Sequence, residues 1–188
     1  MTSDPGTWRI ADESKVDWPA ATRAWADAAL PVLHDAATQF GSIVRYGDLG
    51  EAVQAVSGIR TRSLLTNWIG DVLRAVTDRP YAPGEPMWSA MVVNASGHVG
   101  PGYAEAVKSR EGIRPADPDL HAAEERLRCY RYIGANVPDD AQPQLPPDLA
   151  RRRDEDAAKA RAQAPRPKCP SCGGWKALGV ELCDDCTP

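Results

Sequence analysis

Four of the five cysteines in this 188-residue chain lie in its last 20 residues, as Cys169-x2-Cys172 and Cys183-x2-Cys186 with ten residues between the pairs. Two such knuckles facing each other present four sulfurs in tetrahedral geometry, which suits one zinc ion with Zn–S distances of about 2.3 Å. Pro170 and Gly173 support this, since a Cys-Pro-x-Cys-Gly turn points backbone N–H groups at the sulfurs. Trp175, Leu178, Val180 and Leu182 are too few to form a core, so metal binding and folding are expected to be linked in this segment. Four thiolates leave no open position, which makes the expected metal structural; iron is the other ion such a set holds. Two disulfides are the alternative in a secreted protein. The first twenty residues carry Asp4, Asp12, Glu13 and Asp17 in place of an apolar signal segment, so the expected compartment is the cytoplasm. No run approaches the roughly 18 apolar residues of a membrane span, and no membrane contact is expected.

Upstream, the residues read as one mainly helical α+β domain over 17–136, preceded by a loose arm (1–16) and followed by a Pro- and Arg-rich flexible linker (137–167) and the small zinc ribbon (168–188). Asp17 with Pro19 starts a helix whose stripe runs Ala21, Trp25, Ala28, Val32, Ala36 and Phe40; Pro31 inside it is expected to kink it or split it in two. Residues 47–56 form a second helix closed by Ser57-Gly58. A third, 62–77, carries the strongest periodicity of the chain in Leu64, Leu65, Trp68, Ile69, Val72, Leu73 and Val76. Pro80, Pro83 and Pro86 enforce an extended loop. A strand over 89–93 and a turn at Asn94–Gly97 follow, with His98 and Val99 as a brief partner strand. Asp117-Pro118 opens a last helix with Leu120, Ala123, Leu127 and Tyr130 inward and a Glu124/Arg128 pair outward. Cys129 within it reads as an inert core thiol. The linker has room for a solvated helix near 149–162.

The helix pair 47–56 and 62–77, followed by a strand and turn, has the element order of a winged helix-turn-helix. Opposite its apolar stripe the second helix carries Ser63, Asn67, Asp71 and Arg74, with Arg60 and Arg62 at its entrance. Asn and Arg read adenine and guanine edges, and Arg near a helix start binds phosphate. A solvated polar face on a core helix accounts for the same residues, and Asp71 repels phosphate. The formal net charge is -4, and over 43–78 four arginines balance Asp48, Glu51, Asp71 and Asp78, so nonspecific affinity is expected to be modest. Over 151–168, by contrast, Arg151, Arg152, Arg153, Lys159, Arg161, Arg166 and Lys168 face three acids, a net +4 beside the ribbon.

Ile43-Val44-Arg45-Tyr46-Gly47-Asp48-Leu49, Met91-Val92-Val93-Asn94 and Gly97 to Tyr103 together resemble the winged-helix domain of alkylguanine-DNA alkyltransferases and their alkyltransferase-like relatives. The resemblance covers about 60 residues and implies that the helix opened by Tyr46-Gly47 faces DNA. Where that family carries its alkyl-accepting Pro-Cys-His-Arg-Val segment, this chain has Trp88-Ser89-Ala90-Met91-Val92. Cysteine, histidine and arginine are all missing, which removes the activated thiolate that alkyl transfer needs. The whole chain also resembles uncharacterised actinobacterial proteins, and 17 arginines to 5 lysines with abundant alanine fit a GC-rich bacterial or phage genome. The expected function is a DNA-binding accessory protein that uses Arg60, Arg62, Asn67 and Arg74 on the body and Arg151, Arg152 and Arg153 on the tether. The alternatives are an adaptor that binds another protein of the transcription or phage-conflict machinery through the ribbon and the acidic body, favoured by the acidic charge, and a metal-dependent nuclease built on Asp48 or Glu51. His34, His98 and His121 lack metal-ligand spacing.

Overall fold

The computed structural model describes residues 6–163 and 168–173, together with Glu181 and Cys186. The chain divides into two compact units, Met1–Leu149 and Ala150–Pro188. The first is a mainly helical α+β body.

Its order is β1 (Thr7–Arg9), β2 (Lys15–Val16), α1 (Trp18–Ala37), β3 (Val44–Arg45), α2 (Tyr46–Ser57), β4 (Ile59–Thr61), α3 (Ile69–Asp78), β5 (Val92–Val93), α4 (Tyr103–Glu111) and α5 (Pro118–Ile133). A further helix, α6 (Pro147–Gln163), starts in the body and continues into the second unit. Asp17 caps α1 by accepting from Ala20 N at 3.2 Å, and α1 buries Trp25, Ala29 and Leu33 completely. The Trp25 indole stacks on Trp68 with centroids 4.5 Å apart and donates to the Ile59 carbonyl at 3.0 Å, tying α1 to β4 and the start of α3. Val53 of α2 and Val72 and Val76 of α3 close the same core.

Several elements differ from the sequence reading. The arm over 1–16 is not loose where it is described: β1 lies between β2 and β4 in an antiparallel sheet, with Thr7 opposite both Val16 and Thr61. Three-residue strands are too short to show alternation, and the partner at 59–61 lies far along the chain. Pro31 sits inside one continuous α1 instead of dividing it, because burial along the helix outweighs the loss of one backbone donor.

The expected helix 62–77 is replaced at its start, just after β4, by a bend at Ser63 and a 3-10 turn over Leu65–Asn67, so that α3 begins only at Ile69. Gln54 draws this segment away from helix by accepting from Thr61 N at 3.1 Å, and Thr61 Oγ1 in turn accepts from Ser63 N at 3.0 Å. Ser89, expected in a strand, lies in a 3-10 turn over Trp88–Met91; only Val92 and Val93 are extended, and they pair in parallel with β3. His98 instead contributes its carbonyl to the 94–98 turn, accepting from Asn94 N at 2.8 Å. Helix α4 leaves little trace in the sequence pattern, since only Tyr103 and Val107 of it are buried. On α5, Leu120 points outward at 49% exposure, and Arg128 pairs with buried Glu125 instead of Glu124. The body extends to Leu149, past the boundary expected at 136: Leu149 is 2% exposed, and Asp148 pairs with Arg45 at 3.6 Å.

Candidate functional site

In the second unit, one ligand atom each of Cys169, Cys172 and Cys186 lies within 4.8 Å of the others. A tetrahedral thiolate site with bonds of about 2.3 Å has edges of about 3.8 Å, so the three sulfurs can share one ion. The first knuckle closes by Gly173 N donating to the Cys169 carbonyl at 2.9 Å, with Gly173 at φ +71°, where a Cβ would be strained. Cys183, the expected fourth ligand, lies outside the described residues, as do Trp175, Leu178, Val180 and Leu182. Among the described residues of Ala150–Pro188 only Cys169 is buried, so these residues gain little order from apolar burial. The all-sulfur donor set fits a soft or borderline metal.

The four expected DNA contacts of the body do not share one helix face. Arg60 is exposed on β4, opposite Trp8 of β1. Arg62 follows the strand and lies 5.2 Å from the Trp8 ring centroid, within cation–π range. Asn67 closes the 3-10 turn, and only Arg74 is on α3. Arg151, Arg152 and Arg153 lie on α6 in the second unit, where Arg151 pairs with Glu155 at 3.7 Å one helical turn on.

The sequence reading missed a cleft of about 400 Å³ in the body. Ile69, Leu73 and Arg74 of α3 form one wall, Ser89 and Val92 another, and Tyr46 with the segment Gly100–Tyr103 completes it. The Thr77 and Ser89 hydroxyls bond at 3.0 Å, and Thr77 Oγ1 is also 2.9 Å from the Leu73 carbonyl; with one proton per hydroxyl, Thr77 donates to one of these at a time. Gly100 is required here, because a Cβ would collide with the Tyr46 hydroxyl oxygen. Burial pushes the Tyr46 hydroxyl above the usual tyrosine range.

Helix α5 fixes the turn that presents Ser89. Glu125 accepts from Met87 N at 2.7 Å, and Arg126 donates to the Ala90 carbonyl at 2.9 Å, both side chains being buried. The only sequence signal for this clamp was the run Ala122-Ala123-Glu124-Glu125-Arg126-Leu127, in which apolar residues on both sides hint that the charged residues are enclosed.

The three histidines and Cys129 have structural surroundings. His98 Nδ1 lies 2.8 Å from Asp119, which also accepts from Val99 N at 2.9 Å. His121 bridges the Tyr103 hydroxyl at 3.1 Å and Glu111 at 3.3 Å. His34 packs on Trp88, and burial pushes its imidazole below the usual histidine range, with Arg79 adding to the shift against Glu85. Burial pushes the Cys129 thiol far up, which keeps it protonated and unreactive. Asp48 and Glu51 are exposed on α2, and among the described residues only the cysteines bring three or more ligands together. No described helix is long and apolar enough to cross a membrane.

No protein-family model, no curated protein and no solved structure matches the chain.

Proposed function

We propose that this chain is a DNA-binding accessory protein of bacterial or phage origin, with a winged-helix-like body and a zinc ribbon as a second contact. One observation carries the reading. Tyr46, Val92, and Gly100 to Tyr103 come from the three separate segments that resemble the alkyltransferase-like domain, and all of them line the cleft beside α3, with Ser89 at the place of the missing acceptor cysteine. Chance similarity of short motifs gives no reason for such convergence. A protein that encloses a base in a pocket must take it out of the stack, and the cleft offers apolar walls with the hydroxyls of Ser89 and Thr77 for one. Ser89 in place of a thiol makes this binding without alkyl transfer.

Arg60, Arg62, Asn67 and Arg74 contact the duplex from the body. Arg151, Arg152 and Arg153 hold phosphates from the tail, which has eight basic and six acidic residues. Zinc on Cys169, Cys172, Cys183 and Cys186 orders the ribbon and carries no reaction. The rival reading is a protein-binding adaptor. It is supported by the body, whose 14 basic and 20 acidic residues give it a net charge of -6.

Fluorescence anisotropy with a labelled duplex at two salt concentrations separates the two. Under the DNA reading, Arg62→Ala weakens binding by about 1 to 3 kcal/mol. Arg152→Ala costs less and mainly lowers the salt slope. Wild-type protein that does not bind at low salt, or two variants that both bind like wild type, would assign the chain to the adaptor class.

A further inference from the structure

On the face formed by α1, the end of α2 and the β1–β4 sheet, the body carries a second depression, an open groove of about 440 Å³. Its lining is mixed, with an aliphatic strip between polar borders. Ala20, Ala24 and Ala28 succeed one another at four-residue spacing on α1, and Val56 and Ile59 face them. Small alanine side chains along this strip would let a second backbone approach closely between Asp27 and Pro31 of the same helix. At the end of α2, Ile10 N donates to the Gly58 carbonyl at 2.8 Å, which brings exposed Ile10 next to the turn that carries Val56. These two side chains are 47% and 62% exposed, and Val56 is the most exposed large apolar side chain of α1 and α2.

Two charges border the groove, Arg9 from the end of β1 and Asp27 from α1. Arg9 acts on Asp12 through the field, but among the described residues neither Arg9 nor Asp27 makes a side-chain hydrogen bond or ion pair. A patch that holds an apolar strip together with one cation and one anion is complementary to itself. Under a two-fold axis every contact occurs twice, so a contact of Arg9 with Asp27 of the other copy would be made in both directions. A partner of one charge sign would satisfy one group and repel the other.

We propose that this groove is the interface of a homodimer, with Arg9 and Asp27 exchanging ion pairs between the copies across the alanine face of α1. The proposal is independent of DNA binding and of the metal. Specific interfaces usually bury about 800 Å² per partner, and a shallow groove rimmed by two ion pairs belongs at the weak end, with a dissociation constant of roughly 1 to 100 μM.

Sedimentation velocity on the full, metal-loaded chain over that concentration range tests it. Wild-type protein is expected to shift from monomer to dimer. Asp27→Arg sets a second guanidinium against Arg9 of the other copy and should weaken association at least tenfold, whereas the double variant Arg9→Asp/Asp27→Arg restores the pair and should return to within about threefold of wild type. Val56→Asp, at an exposed position that leaves folding intact, should abolish association, and thermal melts confirm that each variant is folded. A wild-type chain that stays monomeric throughout overturns the proposal and leaves the groove to a different ligand. A dimer indifferent to Asp27→Arg and Val56→Asp overturns it by placing the interface elsewhere. Failure of the double variant to recover overturns the exchanged pairing.

Discussion

The body and the tail of this chain become ordered by different means. In the body, Trp25, Leu33, Leu49, Val53 and Val72 are fully buried, and each such side chain contributes about 1.5 to 3 kcal/mol. In the tail, the described residues bury only Cys169, and α6 from Ala150 onward carries mostly charged residues and alanine. There the described residues bring sulfur together: three cysteine ligand atoms lie within 4.8 Å of one another, a set that could hold a metal ion. The two regions also differ in sign, -6 against +2. One chain can thus contain two cooperative units whose stabilities respond to different perturbations.

The largest expected effect separates them outright. Chelation, or Cys169→Ser, should abolish order in the tail, since structural zinc supplies on the order of 10 kcal/mol to small sites. The melting temperature of the body should stay within about 2 °C of its starting value. Native mass spectrometry for one zinc per chain, run beside calorimetry, reads both; a single transition that moves as a whole would show that the units are coupled.

The converse substitution is Trp25→Ala. It removes the indole stacked on Trp68 and its hydrogen bond to the Ile59 carbonyl, and should destabilise the body by about 3 to 5 kcal/mol. Metal stoichiometry should not change. Loss of zinc from this variant under conditions where it is folded would contradict the separation.

The smallest effect concerns pH and belongs to the body alone. Burial lowers the His34 imidazole from its ordinary value of 6.5, so below that pH the unfolded chain binds more protons than the folded one. The associated stability is fully present above pH 6.5 and is lost as the pH falls towards the depressed folded value. Chemical denaturation between about pH 7 and 5 should therefore show a body that weakens on acidification, with a shallower slope in His34→Gln. An unchanged slope would assign the acid sensitivity to other groups.

Local signals in the sequence are legible where the physics is local. The Asp17 and Asp117 caps with Pro19 and Pro118 set the starts of α1 and α5, and Gly58 and Gly134 end α2 and α5 in left-handed conformation. The knuckle spacing likewise announces the cluster of Cys169, Cys172 and Cys186, because a Cys-x2-Cys turn places two sulfurs together without help from the rest of the chain. The helix expected over 62–77 forms only from Ile69 onward for a related reason. Its periodicity is real, but Gln54 and the strand β1 compete for residues 59–63, and neither is adjacent in sequence.

The sequence by itself determined the mainly helical α+β class, the starts of the long helices, the division into an apolar body and a charged tail, and the sulfur donor set. Only the tertiary structure decided that the N-terminal arm joins a sheet, that Arg60, Arg62, Asn67 and Arg74 occupy a strand, a bend, a turn and a helix, and that Tyr46, Ser89 and Gly100 border one cleft. Caps, turns and knuckles draw their energy from neighbours a few residues away, so composition and spacing reveal them. Sheet partners, the buried Glu125–Arg126 clamp and cleft walls depend on contacts between residues tens of positions apart, and those are chosen by the packing of the whole core.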